Sequence, residues 1–368
     1  MAQNKSHFQI LPLRKFDGAS AAIKRPQEIT SFSFDEQHKL RHDDSSLRWY
    51  WPPKLGADLS KGFETFVRHD DSVDEHINGL LAAIVKLEEK TGERVVADFV
   101  TWRGMMTKAS SDIMCLPFDL QSSFDMNAIK FQNTIYIEES HIFKLFPQTH
   151  RTQSHQMQVG TFWGYKFETL STLPAWWADC SRSKIESREY DIVNNKAQWC
   201  SIVKTGFDNT RIILGGEVDA LWQGEPRSVD NPPVYVELKT SKEIRSDNDA
   251  LVFEQKLLRF WAQSFLLGVQ KIIIGFRDRN GVLQSVEELQ TTNLPSITKK
   301  GGKTWDGNTC INFTNRLLKW LKEKLPEDGV VWKIKHDEFS ENVDVYPVPG
   351  QESFLTKEFV EWRMSGNV

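Results

Sequence analysis

The sequence contains no run of about 18 apolar residues, so no transmembrane helix is expected. Residues 1–12 are mostly polar and contain no apolar segment of the kind found in signal peptides. We therefore expect a protein of the nucleus or the cytosol, with no membrane partner.

Common cysteine and histidine motifs are also missing. The four cysteines form no Cys-x-x-Cys pair, and the nine histidines form no His-Glu-x-x-His motif. These absences disfavour a zinc finger, a disulfide framework and a zinc protease. Scattered thiols also fit a reducing intracellular compartment.

A net positive charge is lacking as well. The chain carries 46 Lys and Arg against 50 Asp and Glu, which gives a formal net charge of −4 and a pI near 6.2. A protein that coats nucleic acid without specificity is usually basic. Any contact with nucleic acid must therefore be local, in a groove where basic side chains gather.

The sequence has no internal repeat and no convincing Pro/Gly/Ser-rich linker, so we expect one domain over residues 1–368. Residues 1–53 are rich in loop signals and are predicted to form an N-terminal arm packed on that domain. Mixed strand and helix patterns predict an α/β (mixed α+β) fold. Helices are predicted over 74–91, 249–267 and 312–324, strands over 95–102, 129–138, 211–222, 234–240 and 271–277, and an extended segment over 158–168.

The most informative segments are 215–220 and 235–240. Residues two apart on a strand share a face, so Glu217 lies beside Asp219 and Glu237 lies beside Lys239. The loop 223–233 between the two strands predicts a hairpin, which would gather the three carboxylates and the lysine on one surface. Anions held this close repel one another unless a cation lies among them.

Oxygen ligands alone favour Mg²⁺ or Mn²⁺ over zinc. Such a site can activate water and neutralise charge on a phosphoryl group, and Lys239 could hold the water or stabilise the oxyanion. The alternative is a solvated strand face with ordinary surface ion pairs, the usual explanation of an isolated Glu-x-Asp.

Other polar residues could extend this site. Lys256, Arg259 and Gln263 fall on one stripe of an otherwise apolar helix, which either points at the site or faces solvent. Arg103 follows an apolar strand and could bind a phosphate with two hydrogen bonds, or could serve as an ion-pair partner.

Five motifs follow one another over residues 101–275: Thr101-Trp102-Arg103-Gly104, Gly164-Tyr165-Lys166-Phe167-Glu168, Gly216-Glu217-Val218-Asp219, Glu237-Leu238-Lys239 and Phe260-Trp261-Ala262-Gln263-Ser264. In this order they resemble the DXO-like family of RNA decapping nucleases. The segment Asp219…Glu237-x-Lys239 is also similar to the core of restriction-type nucleases.

The resemblance implies two mixed or antiparallel β-sheets flanked by helices, and two bound Mg²⁺ or Mn²⁺ ions. It also implies removal of a 5′-triphosphate as pyrophosphate, or of unmethylated and NAD caps, from RNA, and in some members degradation from 5′ to 3′. The sequence looks most similar to the fungal branch, which binds and stimulates a nuclear 5′→3′ exoribonuclease.

The resemblance also implies roles for individual residues. The metal ligands would be Glu168, Glu217, Asp219 and Glu237, with the carbonyl of Leu238. Catalysis would rest on Glu217, Asp219, Glu237, Lys239 and Gln263, and RNA would be bound by Arg103, Lys166, Lys239, Gln263, Lys256 and Arg259.

One segment departs from the family pattern. Residues 109–115 lengthen the chain after Arg103-Gly104, which affects the expected pocket wall.

Two other functions stay open. A non-catalytic protein that stabilises the exoribonuclease could dock it through apolar segments such as 313–325 and 330–332, although such stripes are more often core. A restriction-type DNA endonuclease would explain the Asp219…Glu237-x-Lys239 core alone. The basic segment 298–303 could touch RNA or be a solvated turn.

Overall fold

The computed structural model describes residues 5–107, 113–150, 154–222 and 232–366, with only the backbone described over 146–150. Within these residues the strands form two sheets, which confirms the predicted mixed α+β fold. The strands are β1 (Ser6–Gln9), β2 (Ile23–Phe34), β3 (Leu40–Arg41), β4 (Trp49–Tyr50), β5 (Phe99–Trp102), β6 (Phe124–Phe131), β7 (Thr134–Glu139), β8 (Thr172–Leu173), β9 (Gln198–Phe207), β10 (Thr210–Glu217), β11 (Ala220–Leu221), β12 (Tyr235–Lys242), β13 (Lys271–Arg277), β14 (Leu283–Gln290), β15 (Val331–His336) and β16 (Asn342–Pro347).

The helices lie on both faces of these sheets. None of the described helices is long and apolar enough to cross a bilayer. They are α1 (Asn78–Thr91), α2 (Arg103–Thr107), α3 (His141–His150), α4 (His155–Leu170), α5 (Arg182–Glu186), α6 (Asp247–Leu267), α7 (Leu294–Lys300), α8 (Gly307–Lys324) and α9 (Lys357–Met364).

Both sheets mix parallel and antiparallel pairs. The ten-stranded sheet has the order β1-β16-β15-β6-β7-β5-β10-β9-β2-β3, with β5 parallel to both β7 and β10. The six-stranded sheet has the order β14-β13-β12-β11-β4-β8, with β12 parallel to β13. The N-terminal segment, predicted to be an arm, supplies strands to both sheets. Strands β1, β2 and β3 belong to the ten-stranded sheet and β4 belongs to the six-stranded sheet.

Helix α6 occupies the space between the two sheets. Its side chains Leu258 and Trp261 are buried in a core that also holds Leu214 of β10 and Ile274 of β13. Helices α1 and α9 cover the other face of the ten-stranded sheet, and α4 covers the other face of the six-stranded sheet. The order of layers is therefore helix, sheet, helix, sheet, helix.

The predicted limits of α6 are confirmed closely. Ser246 caps its N-terminus by accepting a hydrogen bond from Asp249 N, and Gly268 ends it with φ of +73°. Both residues are of the types that such positions favour, because a short side-chain oxygen satisfies a free N–H and glycine tolerates positive φ.

The predicted hairpin between 211–222 and 234–240 is wrong for most of its length. Strand β10 pairs with β9 and β5, and only Ala220–Leu221 pairs with β12. The chain leaves the ten-stranded sheet at Glu217 and enters the six-stranded sheet at Ala220. Residues 223–231 of the predicted loop lie outside the described residues.

Two further strand predictions are corrected. The segment 129–138 is a hairpin rather than one strand, because Gln132 and Asn133 both have positive φ, as a tight two-residue turn requires. The segment 158–168 is part of α4, which begins at the capping residue Ser154. Its buried residues Trp163, Phe167 and Leu170 follow helical spacing, which outweighed the short alternation.

The segments considered as docking surfaces are core. In α8, Phe313, Leu317 and Leu321 are buried, and so is Val331 in β15. The basic segment 298–303 is anchored rather than loose, because Gly302 N and Thr304 N donate to the Glu254 carboxylate.

Gly216 marks a close approach between β10, α2 and α6. A Cβ at this position would lie 2.5 Å from Leu267 Cδ1 and 3.1 Å from Arg103 Cβ. We expect Gly216→Ala to lower the free energy of unfolding by about 1–3 kcal/mol, the usual cost of overpacking. Urea denaturation measures it, with Gly104→Ala as control because nothing lies within 4 Å of a Cβ there; equal stability of the two variants would contradict the close packing.

Candidate active site

The carboxylates converge where the chain passes from one sheet to the other. Glu217 is the last residue of β10, Asp219 lies in the connection to β11, and Glu237 lies on β12. Glu168 comes from the last turn of α4, on the outer side of the six-stranded sheet. The four acids therefore come from different elements of the fold. Glu217 lies near the other three acids because the chain passes from one sheet to the other after β10, and not because of the predicted hairpin.

Glu237 is the centre of the site's ion pairs. Its side chain is almost fully buried; Lys239 Nζ donates to Oε1 over 2.6 Å, and an Arg103 guanidinium nitrogen donates to Oε2 over 3.2 Å. Burial acts to raise the pKa of Glu237, but the two cations outweigh it and hold that pKa below its usual range. Glu237 is therefore ionised at neutral pH.

Asp219 is tied to the same strand through the backbone. Leu238 N donates to Asp219 Oδ2 over 2.6 Å, which fixes the carboxylate beside β12. Leu238 thus contacts the site through its N–H, and the predicted use of its carbonyl as a ligand stays a prediction.

The other three acids resist ionisation. Burial, with the charge of Asp219, raises the pKa of Glu217 to about 8. Burial, with the charge of Glu237, raises the pKa of Asp219 to about 7. The pKa of Glu168 is raised well above its usual range by burial and by Asp219 and Glu217.

This donor set fits a hard dication. The acids share one field, because each of the three raised pKa values includes repulsion from another member of the cluster. Lys239 and Arg103 neutralise Glu237 but leave Glu168, Glu217 and Asp219 in need of protons or of a metal. Oxygen-only ligands of this charge are those that bind Mg²⁺ or Mn²⁺.

The raised pKa values predict how metal and pH act on stability. Between about pH 4.5 and pH 8 Glu217 binds more protons in the folded, metal-free protein than in the unfolded chain, so its contribution to stability falls as pH rises. A dication replaces those protons, so we expect Mn²⁺ to raise the melting temperature more at about pH 8 than at about pH 6. Thermal denaturation after chelator treatment measures this; a larger Mn²⁺ effect at the lower pH would contradict the shared site.

Gln263 of α6 contacts the end of α2. Its Nε2 donates to Thr107 O over 3.4 Å, which links α6 to the end of α2, the helix that Arg103 begins. A role for Gln263 toward the scissile phosphate stays a prediction.

Three predicted RNA-binding cations are placed elsewhere. Lys166 is buried on the opposite side of α4 from the acids, and its Nζ donates to Glu189 O over 2.7 Å. Lys166 and Glu168 point to different sides because side chains two residues apart on a helix do not share a face. Arg259 pairs with Asp119, and it lines with Lys256 a separate cavity of about 560 Å³.

Two residues that interact with the acids, Gln198 and Tyr165, were not predicted as site residues from the sequence. Gln198 Nε2 donates to Glu217 Oε2 over 3.3 Å. Burial raises the pKa of Tyr165, and the charges of Glu168 and Glu217 add to that shift. Gln198 lies beside Glu217 because β9 pairs with β10, and Tyr165 lies near the acids because α4 is a helix. The local sequence pattern predicted neither the strand pairing nor the helix.

A cavity of about 1060 Å³ reaches this cluster from the face covered by α1. Glu217, Gln198 and Trp102 form part of its wall, together with histidines from several segments. A substrate of nucleotide size could therefore reach Glu217 through it.

Two mixed sheets with an Asp…Glu-x-Lys core at their crossing define a nuclease of the restriction-enzyme type. The family described as RAI1 like PD-(D/E)XK nuclease matches residues 24–360, and the chain belongs to this family of metal-dependent hydrolases. The resemblance stated from the motifs is thereby confirmed.

Relatives and solved structures agree with this membership. The chain is 48% identical over 363 residues to the decapping nuclease RAI1 of Emericella nidulans, covering 98% of this chain and 99% of that protein. It superposes on Candida albicans Rai1 in complex with pU5 and Mn²⁺ with a TM-score of 0.87, at 30% identity and with 98% and 99% of the two chains covered. The TM-score with Scheffersomyces stipitis Rai1 bound to 3′-NADP⁺ and calcium is 0.86, at 30% identity and with 97% and 100% covered.

Proposed function

We propose that this protein is a decapping nuclease that hydrolyses phosphate bonds at the 5′ end of RNA with a divalent cation. The observation that carries the proposal is the cluster of Glu168, Glu217, Asp219 and Glu237 beside Lys239. Glu217 of this cluster also lines the cavity of about 1060 Å³, through which a substrate could approach.

The residues around the cluster have separate tasks. Divalent cations bound there would activate water and neutralise charge on the phosphoryl group. Lys239 lies 2.6 Å from Glu237 and stays protonated, because Glu237 and Asp219 outweigh the effect of burial and raise its pKa. It can therefore orient the water or stabilise the oxyanion. Toward the described residues, Arg103 donates from one guanidinium nitrogen to Glu237, and a guanidinium has further N–H groups that could bind a phosphate.

The solved relatives support the substrate class. The Candida albicans protein was crystallised with pU5, a 5′-phosphorylated RNA, and Mn²⁺, and the Scheffersomyces stipitis protein with a dinucleotide of the NAD type. We accordingly propose removal of a 5′-triphosphate as pyrophosphate and of unmethylated and NAD caps, with 5′→3′ exoribonuclease activity as a further capacity. Two Mg²⁺ or Mn²⁺ ions would serve the reaction.

Partner and compartment rest on the resemblance to the fungal branch of the DXO-like family. On that basis we propose that the protein acts in the nucleus and binds and stimulates a nuclear 5′→3′ exoribonuclease. Co-purification of that exoribonuclease with wild type and with Glu217→Gln/Asp219→Asn tests this. Binding by both proteins supports the partnership, and binding by neither would remove it.

A digest series tests the chemistry. The substrates are RNAs carrying a 5′-triphosphate, an unmethylated cap or an NAD cap. Each is incubated with Mn²⁺ and with wild type, the double variant Glu217→Gln/Asp219→Asn, or the control variant Glu243→Gln. Glu243 is a suitable control position because it pairs with Arg245 on the surface. Wild type and control should release the terminal group and leave RNA, and the double variant should not. Equal turnover by the double variant would refute the assignment, and cleavage of circular duplex DNA in place of RNA would favour a restriction-type endonuclease.

A further inference from the structure

Three metal-ligating side chains meet at the rim of the large cavity, away from the carboxylate cluster. His38 lies in the turn between β2 and β3, and His69 and Glu75 lie in the segment before α1. The two imidazoles are largely buried, with side chains 12% and 17% exposed, and Glu75 is 44% exposed. Among the described residues, these are the only three His, Cys, Asp or Glu side chains whose ligand atoms all lie within 4.8 Å of one another; the acids of the carboxylate cluster are more widely spaced.

The two histidine–carboxylate distances are close to those between ligands of one tetrahedral ion. His38 Nε2 lies 3.3 Å from Glu75 Oε2, and His69 Nε2 lies 3.7 Å from the same oxygen. One ligand atom from each residue lies within 4.8 Å of the others. Ligands bound about 2.0–2.1 Å from a tetrahedral ion are separated by about 3.3–3.4 Å.

The orientation of His38 favours a metal as well. Its Nδ1 lies 2.8 Å from Lys196 O, a contact that requires Nδ1 to carry the proton and donate. In neutral His38 the Nε2 lone pair then points at the Glu75 carboxylate, which is unfavourable unless a cation lies between them. A histidine that donates one nitrogen to a carbonyl and turns the other to the ion is the usual arrangement at metal sites.

Neighbouring rings hold this geometry. The His38 ring stacks on Phe34 at 4.2 Å with 10° between the planes, and its centroid lies 4.1 Å from that of His69. The backbone N of His69 donates to Asn195 Oδ1 over 2.7 Å. The segments that carry the two histidines are thus fixed independently of any ion.

We propose that His38, His69 and Glu75 form a binding site for a transition-metal dication of the Zn²⁺ class, separate from the oxygen-only site of the carboxylates. Two imidazoles and one carboxylate suit Zn²⁺ and leave a fourth position for water or a phosphate oxygen. The ion would join the β2–β3 turn to the segment before α1 at the cavity that reaches Glu217. Without a metal, a proton on His38 Nε2 would make the same contact an ordinary ion pair with Glu75.

Zn²⁺ titration of chelator-treated protein by calorimetry distinguishes the metal site from the ion pair. The titration uses Glu217→Gln/Asp219→Asn as background, so that the carboxylate cluster contributes little. We expect one Zn²⁺ to bind and Mg²⁺ not to compete. Adding His69→Ala, or separately Glu75→Gln, should weaken Zn²⁺ binding by more than about tenfold, since even changes around ligands cost about 10–100-fold. His42→Ala, at an exposed histidine on the same cavity wall, should leave it unchanged.

Co²⁺ provides a second readout that does not depend on affinity. The same background protein should show the strong visible absorption of tetrahedral cobalt, and His69→Ala and Glu75→Gln should each abolish it while circular dichroism shows a folded chain. Zn²⁺ binding that is equal in all variants, or no Zn²⁺ binding at all, would overturn the proposal. Either result would leave the function proposed for the carboxylate cluster untouched.

Discussion

Glu217→Gln with Asp219→Asn should lower turnover at RNA 5′ ends by at least about 100-fold, since even changes around metal ligands cost about 10–100-fold. The amides keep the size and the local contacts. The amide that replaces the Asp219 carboxylate can still accept from Leu238 N, and the amide that replaces the Glu217 carboxylate can still accept from Gln198 Nε2. What is lost is charge, and with it the affinity for a dication.

The same variant should be more stable than wild type when no metal is present. Ionised Glu217 and Asp219 are unfavourable in the folded state, because burial and mutual repulsion raise their pKa values to about 8 and about 7. Each unit of such a shift corresponds to about 1.4 kcal/mol, so the gain at about pH 8 should be on the order of a few kcal/mol. Urea denaturation in chelator measures it, and a variant that is inactive and also less stable would indicate misfolding instead.

Arg363→Met should lower the free energy of unfolding by about 3–5 kcal/mol, the usual cost of leaving a buried charge unpaired. Arg363 of α9 lies 2.7 Å from Glu88 of α1, with side chains only 2% and 0% exposed. Glu88 also accepts from Val95 N and from Trp362 Nε1, so it cannot turn toward solvent. The pair joins the two helices that cover the ten-stranded sheet.

Chemical denaturation of two variants on the same helix tests this. Lys357→Met removes an exposed pair with Glu361, with side chains 83% and 66% exposed, and should change stability by less than about 1 kcal/mol. Adding Glu88→Gln to Arg363→Met should recover part of the loss, because the orphaned charge is then gone. A loss with Arg363→Met as small as that of Lys357→Met would contradict a buried pair.

The sequence allowed the acids to be found although their pairing was misjudged. Alternation placed Glu217 with Asp219 and Glu237 with Lys239, and apolar neighbours marked both segments as strands. The hairpin was wrong, because alternation does not reveal a strand's partner: β10 pairs with β9 and β5. The acids still meet, because the chain changes sheets between Glu217 and Ala220.

The basic residues were harder to assign. The extended segment predicted over 158–168 would put Lys166 and Glu168 on one face, whereas the helix α4 points them to different sides. The polar stripe of α6 was predicted correctly, but helical spacing alone does not predict the partner of each side chain on the stripe. Gln263 reaches α2, whereas Arg259, one turn earlier, pairs with Asp119. The histidine site at the cavity rim could not be predicted, since its members come together only through the turn between β2 and β3 and the segment before α1.

Anomalous X-ray scattering from crystals soaked in Mn²⁺ tests most directly whether a dication holds these acids together. We expect a peak at about 2.0–2.6 Å from carboxylate oxygens of Glu168, Glu217, Asp219 or Glu237, the range for oxygen-bound divalent cations. Saturating Mn²⁺ with no peak in this cluster, and with Glu237 held only by Lys239 and Arg103, would contradict a metal-dependent site.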